Sequence, residues 1–117
     1  MSTGEARRIL IARALAPDPR ALLLDEPTTG LDLVARHHFL QMLQAITRRG
    51  KTILLVTHHI EEILPQIQRI ILMKDGRVFL DGAKEEVLTA EHLSALYGEA
   101  VVLQQADGCF AAFCPGA

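Results

Sequence analysis

Two short, uninterrupted apolar runs with a helical segment between them constrain the fold of this chain more than any other feature. Residues 21–24 (Ala-Leu-Leu-Leu) and 52–57 (Thr-Ile-Leu-Leu-Val-Thr) lack the polar alternation of a half-exposed strand. Each run is therefore predicted to form a strand covered on both faces, as in a parallel sheet. Between them, Asp32 can cap a helix that extends to about Arg49 and stops at Gly50. Strand, helix and strand in this order predict an α/β chain.

The segments on either side of this unit are predicted to be a helix before it and hairpins with short helices after it. Residues 2–16 are predicted to be helical because Ser2 and Glu5 form a capping box and Pro17 ends the run. Asp-Gly dipeptides predict tight turns of hairpins, at residues 75–76, 81–82 and 107–108. Short helices are predicted over residues 83–88 and 90–97.

Composition argues against several classes of function. The chain has 12 basic and 14 acidic residues, 4% aromatic residues and no Trp, so nucleic acid is a poor partner. No apolar stretch approaches the roughly 20 residues of a membrane span, and residues 1–5 contain no apolar signal core. Cys109 and Cys114 lack CxxC spacing, which favours a reduced cytosolic protein over a disulfide scaffold. A length of 117 residues suits one domain.

Two carboxylates follow the first predicted strand and are the first candidates for chemistry. Asp25 and Glu26 stand at the C-terminal end of that strand, where open α/β sheets bind their ligands. Adjacent residues on an extended chain point in opposite directions, so the two carboxylates need not share one task. One can hold a hydrated Mg²⁺ while the other polarises an attacking water. Taken alone, the segment also fits a strand that ends in two solvated acids.

Further short motifs accompany these carboxylates. In chain order the motifs are Ser2-Thr3-Gly4-Glu5, Leu22–Asp25 followed by Glu26, Thr29-Gly30-Leu31-Asp32, and His58. In this order and spacing the chain resembles the ATPase subunits of ABC (ATP-binding cassette) transporters over about residues 1–98. The motifs are similar to the family's signature, Walker B strand, catalytic glutamate, D-loop and switch histidine. Met1 stands where the signature usually begins with leucine.

The resemblance implies a partial RecA-like P-loop NTPase core, with parallel strands and helices, followed by C-terminal β-hairpins and short helices. It implies an ATP-hydrolysing subunit that energises transport across a membrane, with ATP and Mg²⁺ as its ligands. Glu26 would orient or deprotonate the attacking water, and His58 would contact the γ-phosphate. Asp25 would bind Mg²⁺, through water.

The resemblance also implies that the active site is shared between two subunits. Ser2, Gly4 and Glu5 would bind the ATP held by the opposite subunit, and Asp32 of the D-loop would lie at the dimer interface. A helix N-terminus presents unpaired N–H groups to an anion, and Gly4 permits a close approach of phosphate. The implied partners are a second ABC ATPase subunit and transmembrane permease subunits, at the cytoplasmic face of the membrane.

No credible phosphate loop (Walker A) occurs in the 117 residues, so the chain resembles the C-terminal part of a single ABC ATPase domain. Residues 45–52 (Ala-Ile-Thr-Arg-Arg-Gly-Lys-Thr) satisfy a loose phosphate-loop pattern, but here a predicted helix leads in and a predicted strand leads out. A working loop needs the reverse order. We therefore expect the chain alone to be inactive. A non-catalytic module that pairs with an intact ATPase, or a relic without a role, stays an alternative.

A metal-ligand interpretation of residues 58–62 (His-His-Ile-Glu-Glu) is less favoured. His58 and Glu61, or His59 and Glu62, have the i, i+3 spacing of helical ligands. A structural or catalytic metal needs three or four ligands, and no further Cys or His partner is evident in the local pattern.

Overall fold

The computed structural model describes residues 3–116, together with every side chain in that range except that of Thr3. The helices are α1 (Thr3–Leu15), α2 (Leu33–Arg48), α3 (Lys84–Val87) and α4 (Ala90–Tyr97), with a 3-10 helix at Ile60–Glu62. The strands are β1 (Ala21–Asp25), β2 (Thr52–Val56), β3 (Arg69–Lys74), β4 (Arg77–Ala83), β5 (Val102–Ala106) and β6 (Cys109–Phe113). The chain divides into two compact units, with the boundary after His58. Within residues 3–116, no helix combines the length and apolar character needed to cross a membrane.

The first unit contains the predicted strand–helix–strand arrangement. β1 and β2 pair in parallel, in a register that runs from Ala21 opposite Thr52 to Asp25 opposite Val56. α2 begins after its N-cap residue Asp32, and Gly50 adopts a φ of 82°, a conformation that favours glycine. The prediction of an α/β chain with parallel strands is therefore confirmed. The C-terminal ends of both strands lie at one edge of this pair.

The prediction that both faces of these strands are covered is wrong. Leu22 and Leu24 are buried, whereas Leu23 between them is 69% exposed and Leu54, its partner on β2, is 55% exposed. Successive side chains on a strand point to opposite faces, so Leu23 and Leu54 share the face opposite Leu22. In residues 3–116 that second face is left open to solvent. An uninterrupted apolar run indicates two apolar faces, but it does not indicate that this chain covers both.

The second unit consists of two antiparallel hairpins and two short helices. The β3–β4 hairpin turns at Asp75 and Gly76, and the β5–β6 hairpin turns at Asp107 and Gly108, all four with positive φ. This backbone is that of the type I′ turn, which Asp-Gly favours. The core of the unit is a cluster of buried apolar side chains, from Ile63, Leu88, Leu93, Val101 and Phe110. Two of the predicted Asp-Gly turns are thus confirmed.

The third predicted Asp-Gly turn is wrong, because Asp81 and Gly82 lie within β4. They pair with Ile71 and Ile70 of β3, and neither has a positive φ. Asp81 accepts two hydrogen bonds from the Arg69 guanidinium, at 2.9 Å and 2.6 Å. The guanidinium holds the pKa of the Asp81 carboxyl below its usual range. Strand pairing and this cross-strand ion pair therefore override the local turn signal.

Candidate functional site

The candidate site is the edge at which β1 and β2 end. The Glu26 amide donates to the Val56 carbonyl at 2.7 Å, which extends the parallel ladder one residue beyond β1. Glu26 then turns out of the strand with a φ of 47°, a left-handed conformation that is uncommon for a residue with a side chain. Glu26 therefore lies just beyond the C-terminal end of β1. This is the edge of the sheet at which α/β proteins bind their ligands.

Glu26 and His58 are brought together at this edge. The His58 Nε2 and Glu26 Oε1 atoms lie 2.6 Å apart, a hydrogen-bonding distance. The His58 side chain is 82% exposed and that of Glu26 is 41% exposed, so the pair is accessible from solvent. The second carboxylate oxygen of Glu26 can accept a proton or a hydrogen bond. The sequence predicted both residues at strand ends, and the fold brings their side chains into contact.

Asp25 is the last residue of β1 and lies opposite Val56. It is exposed, and its side chain makes no hydrogen bond or ion pair with any residue in the described range. An accessible carboxylate is the type of ligand that Mg²⁺ prefers, usually with several waters retained. The site therefore fits Mg²⁺ held through water. Residues 3–116 contain no group of three or more His, Cys, Asp or Glu side chains that would form an all-protein metal site.

The loop from Glu26 to Asp32 is held in a compact series of turns. The Glu26 carbonyl accepts from the Thr29 amide at 3.3 Å and from the Thr29 hydroxyl at 3.1 Å. The Leu31 amide donates to the Thr28 carbonyl at 3.0 Å, and Gly30 has a φ of 83°. These bonds connect the carbonyl of the candidate catalytic residue directly to the loop that follows it.

Arg7 of α1 also belongs to this site, although no sequence motif marks it. Its guanidinium donates one hydrogen bond to the Pro27 carbonyl and another to the Thr29 carbonyl. α1 carries further arginines at positions 8 and 13, and no local pattern separates Arg7 from them. Only the packing of α1 beside the loop identifies it.

Asp32 has a structural task in this chain. Its Oδ1 accepts from the Ala35 amide at 2.8 Å, and its carbonyl accepts from the Arg36 amide at 2.9 Å. Both contacts are typical of a helix N-cap, because the first amides of a helix have no partner within it. The predicted position of Asp32 at the start of the second helix is confirmed. Its place at a dimer interface stays a prediction.

Asp32→Ala is expected to lower the free energy of unfolding by about 1 kcal/mol, because the Ala35 amide loses its acceptor. Asp32→Asn is the matched control, since an amide oxygen caps a helix about as well as a carboxylate. Urea denaturation followed by circular dichroism compares the two variants. An equal loss in both would mean that the negative charge, and not the cap, stabilises α2.

The signature-like residues lie at the start of α1. Gly4 and Glu5 occupy its first turn, with Gly4 half-buried and Glu5 exposed. Amides in a first helical turn have no acceptor within the helix, which makes this turn suitable for an anion. Ser2 lies outside the described residues. The roles predicted for Ser2, Gly4 and Glu5 concern a second subunit and stay predictions.

Residues 45–52, which satisfy the loose phosphate-loop pattern, do not lie at this edge. α2 extends to Arg48 and β2 begins at Thr52, so a helix leads in and a strand leads out, as predicted. Lys51 pairs with Asp18, whose pKa it holds below the usual range through this hydrogen bond and its charge. Lys51 precedes β2 and so stands at the opposite end of the strands from Glu26.

The parallel strand pair, with Asp25 and Glu26 at the end of one strand and His58 after the other, is consistent with a partial RecA-like core, the fold of its structural neighbours. The family profile described as "AAA domain, putative AbiEii toxin, Type IV TA system" matches residues 1–64. Relatives of the chain include ATP-binding proteins of ABC transporters, and its structural neighbours include ATP-binding cassettes of ABC transporters. The chain therefore belongs to the AAA domain family that this profile describes, and it is similar to part of the ATP-binding proteins of ABC transporters.

Three comparisons are representative. An uncharacterized ABC transporter ATP-binding protein, YlmA of Bacillus subtilis (strain 168), is 48% identical over 99 residues, which are 83% of this chain and 38% of that protein. A solved "putative metal-chelate type ABC transporter" in an inward-facing conformation superposes with a TM-score of 0.81 and 29% identity, over 96% of this chain and 45% of that one. CbiO1 of Clostridium perfringens, part of the ABC transporter complex CbiONQ, gives a TM-score of 0.67 and 34% identity, over 81% of this chain and 38% of that one. The chain thus spans less than half the length of each.

Proposed function

We propose that these residues are part of an ATP-hydrolysing subunit of an ABC transporter, in which Glu26 activates the attacking water. The observation that carries this proposal is the 2.6 Å contact between Glu26 and His58 at the C-terminal edge of the β1–β2 pair. A general base must lie within hydrogen-bonding reach of the proton it removes, and carboxylates often serve in this role. The Glu26 side chain is 41% exposed, so a water can come within that reach while His58 holds one of its oxygens.

In this proposal His58 orients Glu26 before it acts. Hydrogen bonding from Nε2 to Oε1 fixes the carboxylate, which would otherwise rotate at a half-exposed position. The largely exposed imidazole also lies where it can reach a γ-phosphate bound beside Glu26. One water hydrogen-bonded to the second oxygen of Glu26 would be aligned for attack on phosphorus. Positioning and electrostatic stabilisation supply most of the catalysis in phosphoryl transfer.

Asp25 is the residue of this chain proposed to hold Mg²⁺, through water. The exposed carboxylate has no partner in residues 3–116, so binding a hydrated cation breaks no existing contact. When bound, Mg²⁺ neutralises charge on the phosphates during transfer.

The proposed partners are a second ATPase subunit and permease subunits, with the protein at the cytoplasmic face of the membrane. CbiO1, a structural neighbour, is described as part of an ABC transporter complex. We further propose that Ser2, Gly4 and Glu5 act on ATP bound by the second subunit, and that Asp32 lies at that interface. A formal charge of −2 at pH 7 supports the absence of a nucleic-acid partner.

A chimera tests the proposed function. In it, this chain replaces the matching segment of the Bacillus subtilis relative, with which it is 48% identical. We expect the chimera to release phosphate from ATP in the presence of Mg²⁺. Residues 1–117 alone are expected to release none above background, because they contain no phosphate loop to hold the β- and γ-phosphates. A folded chimera that binds ATP without hydrolysing it would contradict the proposal.

A further inference from the structure

We infer that Arg7 is a positioning residue for the loop between Glu26 and Asp32, and that it fixes the direction in which the Glu26 carboxylate leaves β1. This inference rests on the proposed function of Glu26. Two hydrogen bonds carry it, from one guanidinium of α1 to the carbonyls of Pro27 and Thr29. These two hydrogen bonds connect α1, which precedes β1 in the chain, to the loop that follows the candidate catalytic residue Glu26.

The loop has a particular need for this support. Glu26 is held at a φ of 47°, a conformation that costs energy for a non-glycine residue and persists only when neighbouring contacts impose it. Pro27 has no backbone N–H, so it cannot donate a backbone hydrogen bond that would hold the loop. The loop's own bonds run from the amides of Thr29 and Leu31 to carbonyls at the start of the loop. The Arg7 hydrogen bonds are thus an external constraint on the turn that aims Glu26.

An arginine suits this task better than other residues. The guanidinium is planar and presents several N–H donors in a fixed fork, so one side chain can bind two carbonyls at once. Hydrogen bonds from a charged donor are shorter and stronger than those between neutral groups. A lysine at the same position offers one flexible ammonium group and would not hold Pro27 and Thr29 in a fixed relation.

Arg8 provides a matched control on the same helix. It is exposed, and it makes no side-chain hydrogen bond or ion pair with the described residues. Arg8→Ala therefore removes the same charge and a similar length of side chain without touching the loop. Any general effect of losing an arginine from α1 would be the same in the Arg7 and Arg8 variants.

The experiment uses the active chimera with the substitutions Arg7→Ala, Arg7→Lys and Arg8→Ala. We expect Arg7→Ala to lower kcat about 10- to 100-fold, because a small misplacement of a catalytic group has effects of this size. KM for ATP should change by less than about twofold, since Arg7 contacts the loop and not the proposed nucleotide site. Arg7→Lys should restore only part of kcat, and Arg8→Ala should resemble the unsubstituted chimera.

Amide hydrogen exchange gives a second readout that does not depend on activity. The amides of Thr29 and Leu31 should exchange faster in Arg7→Ala than in Arg8→Ala, while amides in the middle of β1 keep their exchange rates. A contact that contributes only to stability would instead lower the unfolding midpoint and leave the kcat of the folded protein unchanged. That result, or unchanged exchange at Thr29 and Leu31, would overturn the inference. If the unsubstituted chimera hydrolyses no ATP, the proposed function fails, and exchange at these two amides still decides whether Arg7 holds the loop.

Discussion

Glu26→Gln is expected to lower kcat of the chimera about 10²- to 10⁴-fold, the usual contribution of a general base. The amide keeps the size of the carboxylate and can still accept a hydrogen bond from His58, but it cannot take a proton from water. ATP affinity should be nearly unchanged, because the substitution removes a group that acts on the attacking water. Phosphate release and equilibrium binding of labelled ATP, measured on one preparation, separate the two effects.

Glu61→Gln is the matched control for this substitution. Glu61 lies in the 3-10 helix, is exposed, and its side chain makes no hydrogen bond or ion pair with the described residues. It should leave both kcat and ATP affinity as they are. A Glu26→Gln protein that retains most of its kcat would mean that another residue activates the water. A large loss of ATP affinity would mean instead that Glu26 belongs to the binding site.

The elements that position this site could be predicted from local sequence, because each has its own signal. The apolar run before Asp25 and the run before His58 predict strands, and Asp32 and Gly50 mark the two ends of the helix between them. A helix that connects two strands makes them parallel, so both C-terminal ends lie at one edge. Proximity of Glu26 and His58 follows from this topology, while their 2.6 Å contact depends on the turn at Glu26.

The remaining features depend on tertiary contacts between elements, and a local sequence pattern does not predict those contacts. Leu23 is as apolar as its neighbours yet 69% exposed, because residues 3–116 cover only one face of β1. The turn predicted at Asp81 is replaced by strand pairing with β3 and by the ion pair with Arg69. Arg7 is similarly distinguished from Arg8 only by the direction in which α1 presents it to the loop. Residues of the same type in similar local sequence therefore differ in burial and in hydrogen bonding because their tertiary contacts differ.

Gly4→Asp is expected to abolish the ATP-dependent dimer of the chimera. Gly4 lies in the first turn of α1, whose amides have no acceptors within the helix and which we propose to face a γ-phosphate. A carboxylate at this position would repel that phosphate across a short distance. The helix itself should persist, because an acidic residue in a first turn interacts favourably with the helix dipole. Light scattering with ATP, in a Glu26→Gln background that prevents turnover, reports the dimer.

A mixture of two variants decides whether Gly4 acts on its own subunit's nucleotide or on that of the partner. One subunit carries Gly4→Asp, and the other carries a replacement of the lysine in the family's phosphate loop. If Gly4 acts on the partner's nucleotide, both substitutions fall in one of the two shared sites, and the other site stays intact. The mixture should then dimerise, although neither variant does so alone. If Gly4 acts on its own subunit's nucleotide, each subunit disables a different site and the mixture stays monomeric, which would reject the proposed trans role. Ala12→Asp, which adds a carboxylate at an exposed position farther along α1, is the control and should leave dimerisation unchanged.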